Sequence, residues 1–236
     1  MLAVKGVNAG YGKFHVLYDI TTSVEPKQVT VIVGPNGSGK STFLKTIFGL
    51  TTIYSGSITL EGEEIAGLPP HKVAKKGIAY LPQVGNVFLN LSVRENLTMA
   101  TYTLDENEAR DRVEEVLSYY PLLKAYLNRR ADTLSGGERQ LLAMAMAMIR
   151  RPKIMLFDEP TANLAPKIAL EVLREIVRLR DEHGITVVLV EQNARRALES
   201  GDRAVLFVSG RVAFEGACPE LLNHPELSSL YLGLTA

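Results

Sequence analysis

Three observations predict an α/β protein with a parallel core, an antiparallel β section at its N-terminal end and a helical insertion. A β-branched run at 29–33 leads through a glycine-rich stretch into helical spacing at 43–50, which is strand, loop and helix in immediate succession. From about 84 to 150 helix starts recur while strand-like runs disappear. From 153 onward short apolar runs alternate with amphipathic segments again.

Taken in chain order, β-branched runs at 2–7 and 14–24, broken by Gly10 and Gly12, read as an antiparallel pair. The helix after the glycine loop is closed by Gly49, and strands follow near 57–60 and 78–81. Within the helical stretch, Ser92-Val-Arg-Glu95 and Ser135-Gly-Gly-Glu138 each place a hydroxyl three residues before a glutamate, the pattern in which both side chains satisfy helix-start amides. Asp105 is positioned to cap the charged segment 106–119, whose crowded Asp, Glu and Arg residues read as a solvated face, and 139–149 is the apolar helix opened by Ser135. Strands are then expected at 153–157, 185–190, 203–208 and 211–215, helices at 166–182 and 193–200, and a helical tail from 219. This describes one domain over 1–236 with an inserted helical subdomain at approximately 84–150.

The 236 residues are 46% hydrophobic and 22% charged, enough to bury a sizeable core. Lys+Arg 26 against Asp+Glu 26 leaves a net charge of +0, so no global field recruits nucleic acid and none is expected as a partner. The single cysteine, Cys218, excludes an intramolecular disulfide and a four-cysteine metal site and is expected to be structural. His71, His183 and His224 show no metal-ligand spacing. No signal-peptide pattern opens the chain, and the longest helix-like apolar run, Leu141 to Ile149, has nine residues. Roughly 20 are needed to span a bilayer, so a chain soluble by itself is expected.

Three constellations carry chemistry. Gly34-Pro-Asn-Gly-Ser-Gly-Lys-Ser-Thr42 fits the phosphate-binding pattern GxxxxGK[ST]: glycines turn backbone N–H groups toward phosphates, the helix start favours negative charge, Lys40 reaches the terminal phosphates and the Ser41 hydroxyl can hold Mg²⁺. In Ile154-Met-Leu-Phe-Asp158-Glu159-Pro160 a buried strand delivers two adjacent carboxylates to its C-terminal end, where ligands bind in open parallel sheets. Neighbouring residues on a strand point oppositely, but at its terminus the chain turns, so Asp158 can face a metal and Glu159 can act as general base on water. In Leu134-Ser-Gly-Gly-Glu138 two glycines at a helix start serve as a cap or as a second phosphate site; the second use calls for another chain to bring the nucleotide. No Asn-Lys-x-Asp guanine motif accompanies them, which argues against a GTPase.

With these blocks in this order the chain resembles the nucleotide-binding subunit of an ATP-binding cassette (ABC) protein along essentially its whole length, implying a P-loop NTPase (RecA-like) core. The resemblance implies ATP and Mg²⁺ as ligands, with ATP contacted by Tyr11, Gly34, Pro35, Asn36, Gly37, Ser38, Gly39, Lys40, Ser41 and Thr42. Tyr11 would stack on adenine, although by its residue type alone a strand-end aromatic fits packing as well. Gln83 would contact Mg²⁺, together with Ser41 and Asp158, and the attacking water. Ser135, Gly136 and Gly137 would bind the γ-phosphate held by the opposite subunit. The catalytic set is then Glu159, Lys40, Gln83 and Gln192, the last standing where the family usually has a switch histidine. A glutamine amide donates a hydrogen bond but does not titrate. Ala165 stands where most members have Asp, which alters a cross-dimer contact.

Leu164-Ala-Pro166, Leu189-Val-Glu-Gln-Asn-Ala194 and Ser229-Leu-Tyr-Leu-Gly233 narrow the resemblance to the smaller ATPase subunit of branched-chain amino acid importers and their urea or amide relatives, many of which carry Glu at the position of Gln83. That implies permease subunits, a second ABC ATPase or a second copy of this chain, and indirectly an extracytoplasmic solute-binding protein as partners, at the cytoplasmic face of the cell membrane. Val84-Gly-Asn-Val-Phe-Leu-Asn-Leu91 fits equally a groove floor for a permease helix and a packed connector. A non-transport or weakly hydrolysing ABC ATPase, acting as a nucleotide-gated regulatory or binding module, is the alternative reading.

Overall fold

In the five-residue strands β3 (Val29–Val33), β7 (Ile154–Asp158) and β8 (Thr186–Val190) every residue is buried, which is what a parallel strand covered on both faces requires. The structure, a computed structural model, describes residues 1–226. The three strands lie inside a six-stranded sheet ordered β10-β9-β3-β8-β7-β6, where β6 is Ile78–Leu81, β9 is Arg203–Val208 and β10 is Arg211–Ala217, with numbers running in chain order. All neighbours pair parallel except β10, which lies antiparallel to β9 at one edge.

Alternation along these strands divides the apolar residues between two cores. Val29, Val31, Val33, Met155, Phe157, Val187 and Leu189 face one side, packed against helices α3 (Val93–Ala100), α4 (Glu106–Tyr119), α5 (Pro121–Ala125), α6 (Gly136–Met148), α7 (Pro166–His183), α8 (Ala194–Ser200) and α9 (Cys218–Leu222). Ile32, Ile154, Leu156, Val188 and Val190 face the other side. There they meet α1 (Lys40–Ile47), α2 (Pro70–Lys75) and a four-stranded antiparallel sheet ordered β2-β1-β4-β5, comprising β1 (Leu2–Tyr11), β2 (Phe14–Val24), β4 (Thr52–Leu60) and β5 (Glu63–Glu64).

Helix α7 illustrates the local logic. Pro166 occupies its first turn, where no amide is missed, and Gly184 ends it in the left-handed region at φ 64. Ala169, Val172, Leu173, Ile176 and Leu179 recur every three or four residues and are buried. Each large one contributes about 2 kcal/mol of burial, and that stripe holds the helix against the sheet.

The structure corrects several boundaries. β1 continues through Gly10 to Tyr11, and the chain turns at Gly12. Gly10 does not break the strand but lets the partner pass: a Cβ there would lie 1.9 Å from the Phe14 carbonyl oxygen. β4 starts at Thr52 rather than near 57, and α1 starts at Lys40 rather than 43. α2 and α5, of six and five residues, are additional; each opens on a proline and is too short for periodicity to register. Both glutamate capping boxes form as the spacing predicts, at Ser92 and Ser135. The motif 229–233 lies outside the described residues.

Candidate active site

The loop between β3 and α1 is shaped by glycines that nothing else could replace. Gly34 has φ 146, and a Cβ on it would sit 2.1 Å from the carbonyl oxygen of Phe207; Gly39, at φ 102, would press 2.8 Å against Leu17. Backbone bonds from Ser38 N to Pro35 O and from Gly210 N to Ser38 O brace the loop. The Lys40 ammonium donates to the Gly34 and Pro35 carbonyls, both at 2.9 Å, so it lies along the loop's inner rim. Burial lowers its proton affinity, while the carboxylates of Glu159 and Asp158 act to raise it. Ser38 Oγ is buried with no hydrogen-bond partner, an orphan that an incoming ligand oxygen would satisfy.

β7 ends beside this loop because β8 separates it from β3 in the sheet and α1 lies across that face. Asp158 is 4% exposed. Its Oδ1 accepts from Ser41 Oγ at 2.7 Å and its Oδ2 from Tyr80 Oη at 2.9 Å. Glu159 is in the left-handed region at φ 50, a conformation that costs about 1–3 kcal/mol in a residue with a side chain. That turn is what brings both neighbouring carboxylates to one site. Its amide still bonds the Val190 carbonyl at 2.9 Å, and its carboxylate accepts from Gln83 Nε2 at 3.0 Å. With the amide nitrogen so engaged, the Gln83 amide oxygen is the atom it can offer a cation. Ser41 hydroxyl, Asp158 carboxylate and Gln83 amide are hard oxygen donors, the chemistry that suits Mg²⁺.

Asn36, Gly37, Gly39, Lys40, Ser41, Thr42, Gln83, Glu159 and Gln192 line one polar cleft of about 530 Å³, joined by Val16. Pro35 and Ser38 belong to the loop wall, and Tyr11 lies outside the cleft lining, 44% exposed at the end of β1. Gln192 is exposed, preceded by a residue the sequence reading passed over: Glu191, buried, accepts from Thr161 N at 3.0 Å and Gln192 N at 3.3 Å. Burial raises its proton affinity against those bonds, and Glu159 adds to the rise.

Ser135, Gly136 and Gly137 line a different cleft, of about 570 Å³, which shares Gln83 with the first. The Ser135 hydroxyl accepts from Glu138 N at 3.3 Å, and the Glu138 carboxylate accepts from Ser135 N at 2.7 Å, which holds Glu138's own acidity strengthened. Packing adds a second reason for the glycines: a Cβ on Gly136 would lie 2.4 Å from Leu164 Cδ2, and one on Gly137 2.6 Å from Ile168 Cγ2. Ala165 precedes α7 with no side-chain cap. The stretch 84–91 divides between its two readings. Asn96 is fully buried and ties the Phe88 backbone in both directions, at 2.7 and 3.0 Å, as in a connector. Yet Val84 is 77% and Phe88 49% exposed, and Phe88 with Tyr80, Ala143 and Met146 lines an apolar groove of about 390 Å³. Cys218 is buried, its thiol pushed up to about 12 by that burial, which suits the structural role expected of it.

Tyr80, Glu191 and Val16 are the site-adjacent residues that sequence reasoning missed. For Tyr80 the signal was its place in a strand one residue before the strand end, but its contact depends on which strand neighbours it.

The model of the family described as ABC transporter matches residues 17–162. The chain is 52% identical to a probable branched-chain amino acid transport ATP-binding protein, LivF, of Archaeoglobus fulgidus, covering 99% of both chains. It is 41% identical to the high-affinity branched-chain amino acid transport ATP-binding protein BraG of Pseudomonas aeruginosa, over 99% of this chain and 100% of that one. Among solved structures it superposes, with TM-score 0.78 and 27% identity over 92% of this chain and 99% of that one, on a dimeric ATP-binding cassette in a post-hydrolysis state bound to ADP and Pi.

Proposed function

The chain belongs to the ABC transporter family, and we propose that within it this protein is the ATP-binding and hydrolysing subunit of an importer for branched-chain amino acids or related amides or urea. One observation carries the reading: Lys40, Ser41, Gln83, Glu159 and Gln192 converge on a single polar cleft, in a chain 52% identical end to end to a branched-chain amino acid transport subunit.

In this reading the loop 34–42 binds the phosphates of ATP through its backbone amides and the orphan Ser38 hydroxyl, with Lys40 supplying positive charge beside them. Mg²⁺, held by Ser41, Asp158 and Gln83, supplies neutralisation of the phosphate charge when bound. Glu159 takes a proton from the attacking water as the oxygen bonds the γ-phosphorus, and the bond to the bridging oxygen breaks, releasing ADP and phosphate. The hydrogen bond from Gln83 keeps the Glu159 carboxylate aimed into the cleft. Ser135, Gly136 and Gly137 face another cleft of the same chain, so they serve ATP held by an opposed cassette, and Tyr11 serves adenine from the rim. The dimeric relative, with its bound ADP and Pi, supports such pairing.

Binding closes the pair and hydrolysis reopens it. The helical segment 84–150 is the unit that passes this motion to permease subunits seated on the apolar groove. The second cassette is a related ATPase or a second copy, and the solute-binding protein is reached only through the permease. Among the described residues no helix is long and apolar enough to cross a membrane; in this reading the chain is held peripherally, at the cytoplasmic face, through those subunits.

Glu159→Gln tests the chemistry. Phosphate release should fall about 10²–10³-fold while ATP binding persists. Equal, slow rates in both forms would instead favour the second reading, a nucleotide-gated binding module, to which the non-titrating Gln192 at the cleft lends support.

A further inference from the structure

The Asp158 carboxylate is anchored from two sides, and the anchors are not equivalent. Ser41, on Oδ1, is itself a candidate cation ligand, so its hydroxyl answers to two partners. The Tyr80 hydroxyl, on Oδ2 at 2.9 Å, has no such second duty. The parallel register of β6 and β7 pairs Tyr80 with Leu156 and Leu81 with Phe157, so Tyr80 and Asp158 share one face of the sheet on neighbouring strands, two residues apart along them. The phenol spans that diagonal. Its ring is fixed as well: it packs 5.5 Å from Phe48, the residue that ends α1, and forms part of the wall of the apolar groove. A single side chain therefore touches the acidic strand end, the far end of the helix that begins at Lys40, and the proposed docking groove.

We propose that Tyr80 is a positioning residue for the cation site: its hydroxyl fixes the orientation in which Asp158 holds Mg²⁺, and its ring ties that orientation to the wall of the groove. This rests on the reading of Asp158 as a metal ligand given above. A hydrogen-bond donor behind a ligating carboxylate keeps the bare lone pairs aimed at the ion and spares the cation the work of ordering the group, which is why outer partners of this kind commonly govern affinity.

The test uses the full chain with a non-hydrolysable ATP analogue and Mn²⁺ as the probe, following the free Mn²⁺ signal by electron paramagnetic resonance. Tyr80→Phe keeps the ring against Phe48 and removes only the hydroxyl. We expect its Mn²⁺ affinity to fall about tenfold while analogue affinity in EDTA stays within about twofold, a split that a merely structural role would not produce. Asp158→Asn serves as the reference. If Asp158→Asn weakens Mn²⁺ binding and Tyr80→Phe does not, the Tyr80 proposal is overturned and the assignment of Asp158 stands. If neither changes Mn²⁺ binding, the assignment of Asp158 itself fails and the proposal falls with it.

Discussion

Glu191 offers a measurement of how the two loops beside Glu159, the proposed general base, are held. Its buried carboxylate accepts one amide from the loop after β7, Thr161 N, and one from the loop after β8, Gln192 N. Replacing it with alanine strips both amides of their acceptor, at about 1–2 kcal/mol each where water reaches them only partly, so Glu191→Ala should cost about 3 kcal/mol. For a chain of this size, with a urea slope near 3 kcal/mol per molar, that is a drop of about 1 M in the unfolding midpoint. Glu191→Gln keeps one acceptor and relieves the buried charge, and should cost less. The pH dependence separates the two effects. Burial raises the carboxyl's proton affinity above its unfolded value, so the stability this group contributes is fully present below the unfolded pKa and is lost as pH rises through the folded one. Wild type should therefore lose stability relative to Glu191→Gln across that window above the ordinary glutamate range. Urea melts from pH 4 to pH 8, read by circular dichroism, give both numbers, with turnover measured alongside; kcat should fall more than KM rises, because the loop carrying Gln192 and the turn after Glu159 both loosen. A Glu191→Ala midpoint within about 0.2 M of wild type would refute the reasoning.

Two further outcomes follow from the same geometry. Gln192→His places a titrating group in the cleft, and the ATPase rate should acquire a pH dependence centred near about 6.5 that wild type lacks; superimposable pH profiles would contradict a role for position 192 at the reacting phosphate. Phe88→Asp puts a charge at the edge of the apolar groove without entering the nucleotide cleft. Membrane subunits should no longer co-purify with the tagged chain while ATP-analogue binding stays unchanged, and undiminished co-purification would remove the groove from the docking reading.

The parts of this molecule that were legible in its sequence are those whose physics is local. The glycine loop 34–39, the capping boxes at Ser92 and Ser135 and the fully apolar run ending in Asp158 each need only a few consecutive residues to declare themselves. Even the convergence of Asp158 and Glu159 follows from a local rule, since only a break in strand geometry lets adjacent side chains converge, and the positive φ of Glu159 is that break. Short helices such as α2 and α5 escape because six and five residues hold less than two turns of periodic signal. Gly10 misleads for a related reason: a glycine chosen for close strand approach looks the same in one dimension as a glycine that ends a strand.

Tyr80 and Glu191 escape for a deeper reason. Each acts across a pairing between segments distant in sequence: Tyr80 meets Asp158 over 78 positions, and Glu191 meets Thr161 over 30. Their contacts exist only because the sheet runs β8-β7-β6, an order that residue spacing does not encode. Motif residues proposed to bind the nucleotide are dictated by phosphate geometry and so recur as a pattern, whereas the residues that hold the motif residues still are dictated by whichever strand lies next door. The Tyr80–Asp158 bond and the two Glu191 bonds are of this second kind, and that makes them the positions where this chain can be tuned without disturbing the pattern. Gln192, already without a titrating ring, is held from behind by Glu191 through its backbone amide, so the orientation of that loop depends on a carboxyl whose own charge is costly.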